Sequence, residues 1–178
     1  MKVTRSKSGT GNPGDVVGNQ KAAACATGDS PGMWICLDLK GLRVRPTHYA
    51  LRHGFKQEFH FLRHWRLEAS IDGEVWILLR EHINDDSIQH GFDTAGSSHV
   101  WELPRVLGWF RYLRLAQTGK NSSNRDSLAV SGLEILTLTL TLTPNPNWTV
   151  TGLEIYGQLL EHGAKPDNHI PRLNTSTV

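Results

Sequence analysis

Three features of this sequence predict an all-β chain folded as an antiparallel sandwich. Trp65, Leu67, Ala69 and Ile71 alternate with Arg66, Glu68 and Ser70, the period of a strand with one buried and one wet face. Asp72-Gly73 then supplies a pair that tolerates the positive φ of a two-residue hairpin turn, and the apolar run at 75–79 is expected to pair back antiparallel. Elsewhere short apolar runs are punctuated by Gly, Pro, Asn and Asp, with no convincing helical period.

In chain order, residues 1–14 are Lys, Ser, Gly and Pro with little to bury, and a flexible lead-in is expected. Val16-Val17 and residues 22–27 are short strand candidates, followed by turn chemistry at 29–32. Residues 33–39 (MWICLDL) read as a strand buried on both sides and broken by Asp38; residues 49–52 follow as the next strand, then a loop at 54–61. Residues 82–98 are mainly loop, 100–103 a short strand, 109–117 a long one, 118–126 a second polar loop, and 128–135 the last strand. The domain expected from this pattern runs over 15–157, with a repeat-like insertion at about 136–147 and a disordered tail at 158–178. Around that insertion, LTLTLTLTPNP, two similar segments recur 20 residues apart: SLAVSGLEI at 127–135 and NWTVTGLEI at 147–155. A sandwich needs one strand of this kind there, so a duplication is inferred, with one copy in the native slot.

The chain has 178 residues, enough for one core, and a formal net charge of +2, too small by itself to argue for nucleic acid. Its distribution is uneven. Residues 40–66 hold seven Lys/Arg and four His against Glu58, whereas 68–102 hold eight acids against Arg80, so a basic and an acidic edge are expected. Two cysteines, Cys25 and Cys36, make no disulfide framework and read as buried free thiols. No apolar run reaches transmembrane length and no signal-peptide core is evident, so a cytoplasmic (or nuclear) protein is expected, with no membrane contact.

Catalytic patterns are weak. No Gly-x-Ser-x-Gly elbow occurs, and both cysteines lie in strand-like runs. His60 and His64 have the spacing of two ligands on a helix face, but their flanks read as strand and loop, and the acids at 38, 72, 85, 86 and 93 lack the spacing of a calcium loop. No enzyme activity, metal site or cofactor is expected. Trp34, Trp65, Trp76, Trp101, Trp109 and Tyr112 read as core. The functional candidates are instead two polar loops, 52–64 and 118–125, because sandwich loops cluster at the ends and recognise partners while the sheets hold them still. Arg52, His53, Lys56, Arg63, His64, Lys120, Asn121 and Arg125 are the residues picked out, their cations forming a basic rim suited to an acidic peptide or anionic group.

The ordered set carries a family likeness. Trp34 with Asp38-Leu39, Pro46-Thr-His-Tyr-Ala-Leu-Arg-His-Gly54, Leu62-Arg-His-Trp65, Glu68-Ala-Ser-Ile-Asp-Gly73 with Trp76, Arg111-Tyr-Leu-Arg114, Gln117-Thr-Gly-Lys-Asn121 and Ser131-Gly-Leu-Glu134 follow one pattern. It resembles the galactose-binding-like, discoidin-type (F5/8 type C) domains, in particular the intracellular branch in HECT-type ubiquitin ligases and BTB-domain proteins. The likeness spans about 16–135, and residues 152–157 fit the family's ending better than 132–136 do. It implies an eight-stranded jelly-roll sandwich that recognises sugars, lipids or peptides through loops at one end, without catalysis. The sugar-binding residues of such domains are not matched here position by position, and the terminal disulfide of the secreted branch is missing. The expected function is therefore protein–protein recognition in a ubiquitin-ligase or adaptor context, with carbohydrate or small-ligand binding as the alternative and nucleic acid disfavoured.

Overall fold

A computed structural model describes residues 1–7, 9–17, 25–54, 60–90, 97–136 and 160–161. The strands are β1 (Lys2–Arg5), β2 (Cys25–Ala26), β3 (Trp34–Asp38), β4 (Leu42–Arg43), β5 (His48–His53), β6 (Trp65–Ser70), β7 (Ile77–His82), β8 (Ser98–Glu102), β9 (Tyr112–Gln117), β10 (Ala129–Leu136) and β11 (Leu160–Glu161); a 3-10 turn covers Pro13–Val17 and a single helical turn, α1, covers Ser87–His90. Two antiparallel sheets result, one of five strands in the order β1-β3-β9-β6-β7 and one of four in the order β2-β10-β5-β8, while β11 pairs with β4.

The sheets share one core. Ile35, Leu37, Trp65, Leu67, Ala69, Leu113 and Leu115 face inward from the first sheet and Tyr49, Leu51, Val130, Leu133 and Ile135 from the second, all buried. Most come from alternating runs, which let one strand give a row of side chains to the core and the next row to the outside, while in β10 an irregularity between Val130 and Gly132 resets the register. The antiparallel sandwich is thus the fold, and Cys25 and Cys36 are buried free thiols within it. Burial pushes the Cys36 thiol up to about 11, so it is a packing group rather than a nucleophile.

Several local expectations change. The strand β6 ends at Ser70, so Ile71 lies outside it and is 49% exposed. The turn after it spans six residues rather than two: Asp72 Oδ1 accepts from the backbone N–H of Glu74 (2.8 Å) and Val75 (3.0 Å), and Gly73 takes φ 88°. Glu68, assigned to a wet face, is only 6% exposed because Arg66 (2.8 Å) and Arg114 (2.6 Å) enclose it on the outer face of the sheet. The lead-in is not a free arm. Lys2–Arg5 pairs with β3, and the Arg5 guanidinium donates to the carbonyls of Gly9 (3.0 Å), Thr10 (2.8 Å), Gly11 (3.0 Å) and Ala26 (3.0 Å), giving polar backbone a partner that no hydropathy pattern reveals.

The slot between β2 and β5 is filled by the first copy of the duplicated segment, β10, although residues 152–157 fit the family ending better. The second copy, the Leu-Thr repeat and most of the tail lie outside the described residues.

Candidate functional site

The candidate loops meet at one end of the sandwich, where β5, β7 and β9 finish and β3, β6, β8 and β10 begin. Ser122 and Phe61 exchange backbone and hydroxyl bonds, Ser122 N–H to Phe61 O and Phe61 N–H to Ser122 Oγ, both 2.9 Å. Thr118 N–H reaches His64 O at 3.0 Å, and His60 N–H reaches Ser123 Oγ at 3.1 Å. A third segment joins them: Asp85 N–H donates to Arg63 O (2.9 Å) and Asn84 N–H to His64 Nδ1 (3.2 Å). His60, Asn84 and Asn124 all take positive φ, a conformation costly for side chains other than Gly and held only by surrounding bonds.

Asn121 is the organiser of the 118–127 loop and is buried. Its Oδ1 accepts from Ser123 N–H (2.9 Å) and Arg125 N–H (3.0 Å), while Nδ2 donates to Ser127 O (3.0 Å). This is the turn chemistry of Asn satisfied inside a loop, so the residue builds the surface rather than presenting itself to a ligand.

The described Lys and Arg residues picked out from the sequence are each met by a carboxylate. Arg125 Nη1 lies 3.0 Å from Asp29, Lys120 is hydrogen-bonded to Asp126, and Arg63 donates to Gln89 (2.6 Å) with Asp86 at 3.7 Å. The Arg125 hydrogen bond comes first among the contacts that lower the Asp29 carboxyl below its usual range. Arg52 is a strand residue, not a loop residue, and pairs with Glu134 at 2.9 Å. His53 also belongs to β5, buried with its ring 4.2 Å from Phe61. Lys56 lies outside the described residues. Arg63, His64, Lys120, Asn121 and Arg125 are therefore carried by the loops that meet, while Arg52 and His53 belong to β5, His53 packing beneath the loop residue Phe61.

Behind this surface sits a buried polar chain that sequence reasoning missed. Trp65 Nε1–H donates to Tyr49 Oη (3.0 Å), Tyr49 Oη bonds His82 Nε2 (2.6 Å), and His82 Nδ1 bonds Asp85 Oδ2 (2.5 Å). The ionised Asp85 carboxylate can only accept, which assigns the histidine proton to Nδ1, and the neutral ring then offers Nε2 as the acceptor for the tyrosine hydroxyl. Burial holds the His82 pKa below its usual value despite Asp85. Burial also disfavours the Asp85 charge, but hydrogen bonds from Ser87 and His82 outweigh it and keep that carboxyl below the usual range. The Trp65 ring stacks on His82 at 4.1 Å, and Trp101 closes against both. The only signal in the sequence was an aromatic-rich set of strands, read as plain core.

At the opposite end a wholly apolar groove is lined by Met1, Leu39, Val44, Leu113 and Ile135 among others. Among the described residues no group of three or more His, Cys, Asp or Glu is arranged to hold a metal ion, and no helix is long and apolar enough to cross a membrane.

No family model matches the chain. Solved structures of the same architecture are carbohydrate-binding modules: CpGH89CBM32-5 from Clostridium perfringens, in complex with GalNAc-β-1,3-galactose, aligns with TM-score 0.60 and 12% identity over 75% of this chain and 93% of that one. The lectin domain of lectinolysin, complexed with Lewis B antigen, aligns with TM-score 0.59 and 11% identity over 75% and 90%. The fold is the galactose-binding-like β-sandwich of these modules. At the level of sequence, this chain is similar to E3 ubiquitin-protein ligase Ufd4 of Drosophila melanogaster, 35% identical over 115 residues, which is 62% of this chain and 4% of that protein. E3 ubiquitin-protein ligase hecd-1 of Caenorhabditis elegans is 36% identical over 128 residues, 70% of this chain and 5% of that protein. The chain thus spans about a twentieth of the length of these relatives.

Proposed function

We propose that this domain is a non-catalytic recognition module, working in a ubiquitin-ligase or adaptor context inside the cell, that contacts a protein partner through the loop end built by residues 60–64, 84–89 and 118–127. The observation that carries the reading is the contrast in the two likenesses: 35% and 36% sequence identity to ubiquitin ligases, against 12% and 11% to sugar-binding modules of the same fold. Fold at that second level says nothing of ligand. The chemistry of the loop end agrees. Its described cations are neutralised by Asp29, Asp86 and Asp126, so recognition there rests on shape and hydrogen bonding more than on net positive charge. An acidic partner is accordingly a weaker expectation than a polar protein surface.

The test is affinity capture from cytosolic extract with the wild-type domain and with Arg63→Glu/Lys120→Glu/Arg125→Glu, matched by a control reversal at Lys2 and Lys40 on the far edge. The reading expects specific partners to be lost from the loop variant alone, with both variants retaining the wild-type circular dichroism. Partners retained by the loop variant would overturn it. The alternative is carbohydrate binding, and a glycan array on which the domain gives a saturable, loop-dependent signal would establish that instead.

A further inference from the structure

The loop end leaves one long side of the five-stranded sheet unaccounted for. Among the described residues β7 is bonded to β6 alone, so its other side is an open row of backbone donors and acceptors. Sheet edges are normally guarded by charge, as Lys2 guards β1 at the opposite edge. The strand β7 opens instead with two adjacent aliphatic residues. Ile77 and Leu78 are 50% and 52% exposed, and Val75 just before them is 69% exposed. Of the eight large apolar side chains exposed among the described residues, five lie between Ile71 and Ile83. Single exposed apolar groups need no explanation, but a concentration along one unpaired strand marks an interaction surface.

The charge beside this edge is negative and is not used by the fold. Glu74 and Glu81 flank Ile77 and Leu78, and both are exposed. Arg66, which stands opposite Glu81, is bound to Glu68 instead, and Arg80 donates to the carbonyl of Glu102. Arg66 and Glu68 share the outer face of β6, so their partners Glu81 and Leu78 share the outer face of β7, with the register shift absorbed at Leu79. An incoming strand therefore meets an aliphatic group and a carboxylate on one face.

We propose that the edge of β7 takes an extended segment of a protein partner by strand addition, with aliphatic side chains against Ile77 and Leu78 and Lys or Arg against Glu74 and Glu81. Main-chain bonds hold the segment and the side chains select it. A second copy of this chain is the wrong occupant. Antiparallel pairing of two β7 strands about Ile77 and Leu78 brings Glu74 of each copy to Glu81 of the other, and parallel pairing in register sets Glu81 against Glu81, like charges that destabilise a sheet. Ile77 and Leu78 stand at the start of β7, away from the loop end where β7 finishes, so this surface is separate from the recognition loops.

The probes are two labelled peptides, KTKTVITKT and its acidic analogue ETETVITET, titrated into the full chain and followed by fluorescence anisotropy. The basic peptide should bind saturably and the acidic one should not. Ile77→Thr/Leu78→Thr keeps strand propensity at two exposed positions and should weaken binding at least about tenfold, the effect of losing one strong anchor. Leu107→Thr, at an exposed aliphatic site outside this surface, should leave it unchanged. Glu74→Lys/Glu81→Lys should reverse the preference between the peptides. Hydrogen exchange of the wild-type chain should slow at backbone amides of residues 77–82 when the basic peptide is bound, which attraction between side chains alone does not produce. Absent binding, equal binding of both peptides, indifference to Ile77→Thr/Leu78→Thr, or unchanged exchange in β7 would overturn the proposal. So would concentration-dependent dimers in sedimentation that the same double variant abolishes, since the edge would then belong to self-association.

Discussion

Tyr49→Phe is the sharpest perturbation of this fold, because it removes one oxygen and almost no volume. That oxygen accepts from Trp65 Nε1–H at 3.0 Å and bonds His82 Nε2 at 2.6 Å, joining a residue of the four-stranded sheet to two residues of the five-stranded one. All three side chains are buried, so water does not replace the lost partner. A buried polar group left without a partner costs about 1–3 kcal/mol, and two are created, so the domain is expected to lose roughly 2–6 kcal/mol. At about 4 °C per kcal/mol for a domain of this size, the melting midpoint should fall by roughly 8–24 °C. Urea denaturation at pH 7.5, followed by tryptophan fluorescence, reads the free energy directly. His82→Leu and the double variant complete a thermodynamic cycle, and the expected coupling exceeds about 0.5 kcal/mol for groups in direct contact. A loss below about 1 kcal/mol for Tyr49→Phe, outside the range for an unpartnered buried group, would show that the chain of bonds does not hold the sheets together.

Other consequences can be measured on the same protein. The folded state holds the His82 pKa below its unfolded value, so the unfolded chain binds the proton more readily; stability is complete above about pH 6.5 and falls as the pH drops below it, a slope that His82→Leu should flatten in denaturation curves between pH 7.5 and 5.5. Glu68→Gln removes the buried charge between Arg66 and Arg114 and should cost about 1.5–3 kcal/mol, with Arg66→Gln, which removes a side chain that is itself half in water, costing less than half as much by the same denaturation assay. Asn121→Ala strips four hydrogen bonds from one loop and should raise amide exchange in residues 119–127 while leaving β9 protected, a pattern that hydrogen exchange resolves.

The fold was legible wherever burial follows the strand period. Trp65, Leu67 and Ala69 alternate and are fully buried, and Leu113 and Leu115 do the same in the neighbouring strand. Legibility failed where one polar group solves the problem of another far away in sequence. Glu68 looks like a surface acid until Arg114 is brought across from β9, and residues 2–5 look like a loose tail until Arg5 finds the carbonyls of 9–11 and 26. Ile71 failed for a local reason. Asp72 and Gly73 act one residue sooner than alternation implies, so the strand stops at Ser70 and the next apolar side chain is left outside.

The candidate site divides along the same line. Position in the chain was enough to bring the 60–64 and 118–125 loops together, because strands that finish at one end must turn there. Charge was not readable in that way, since Asp29, Asp86 and Asp126 enter from three different stretches to meet Arg125, Arg63 and Lys120. Those pairs, the Asn121 bonds and the positive-φ residues fix the loop end before any partner arrives. Fixed donors and acceptors lose little entropy on docking, which makes such a surface selective by geometry. A flexible cationic rim would instead attract acidic partners with little discrimination among them and would release them as salt rises. On the proposed function, the carboxylates that meet these cations shift discrimination from the sign of a partner's charge to the shape of its backbone and side chains.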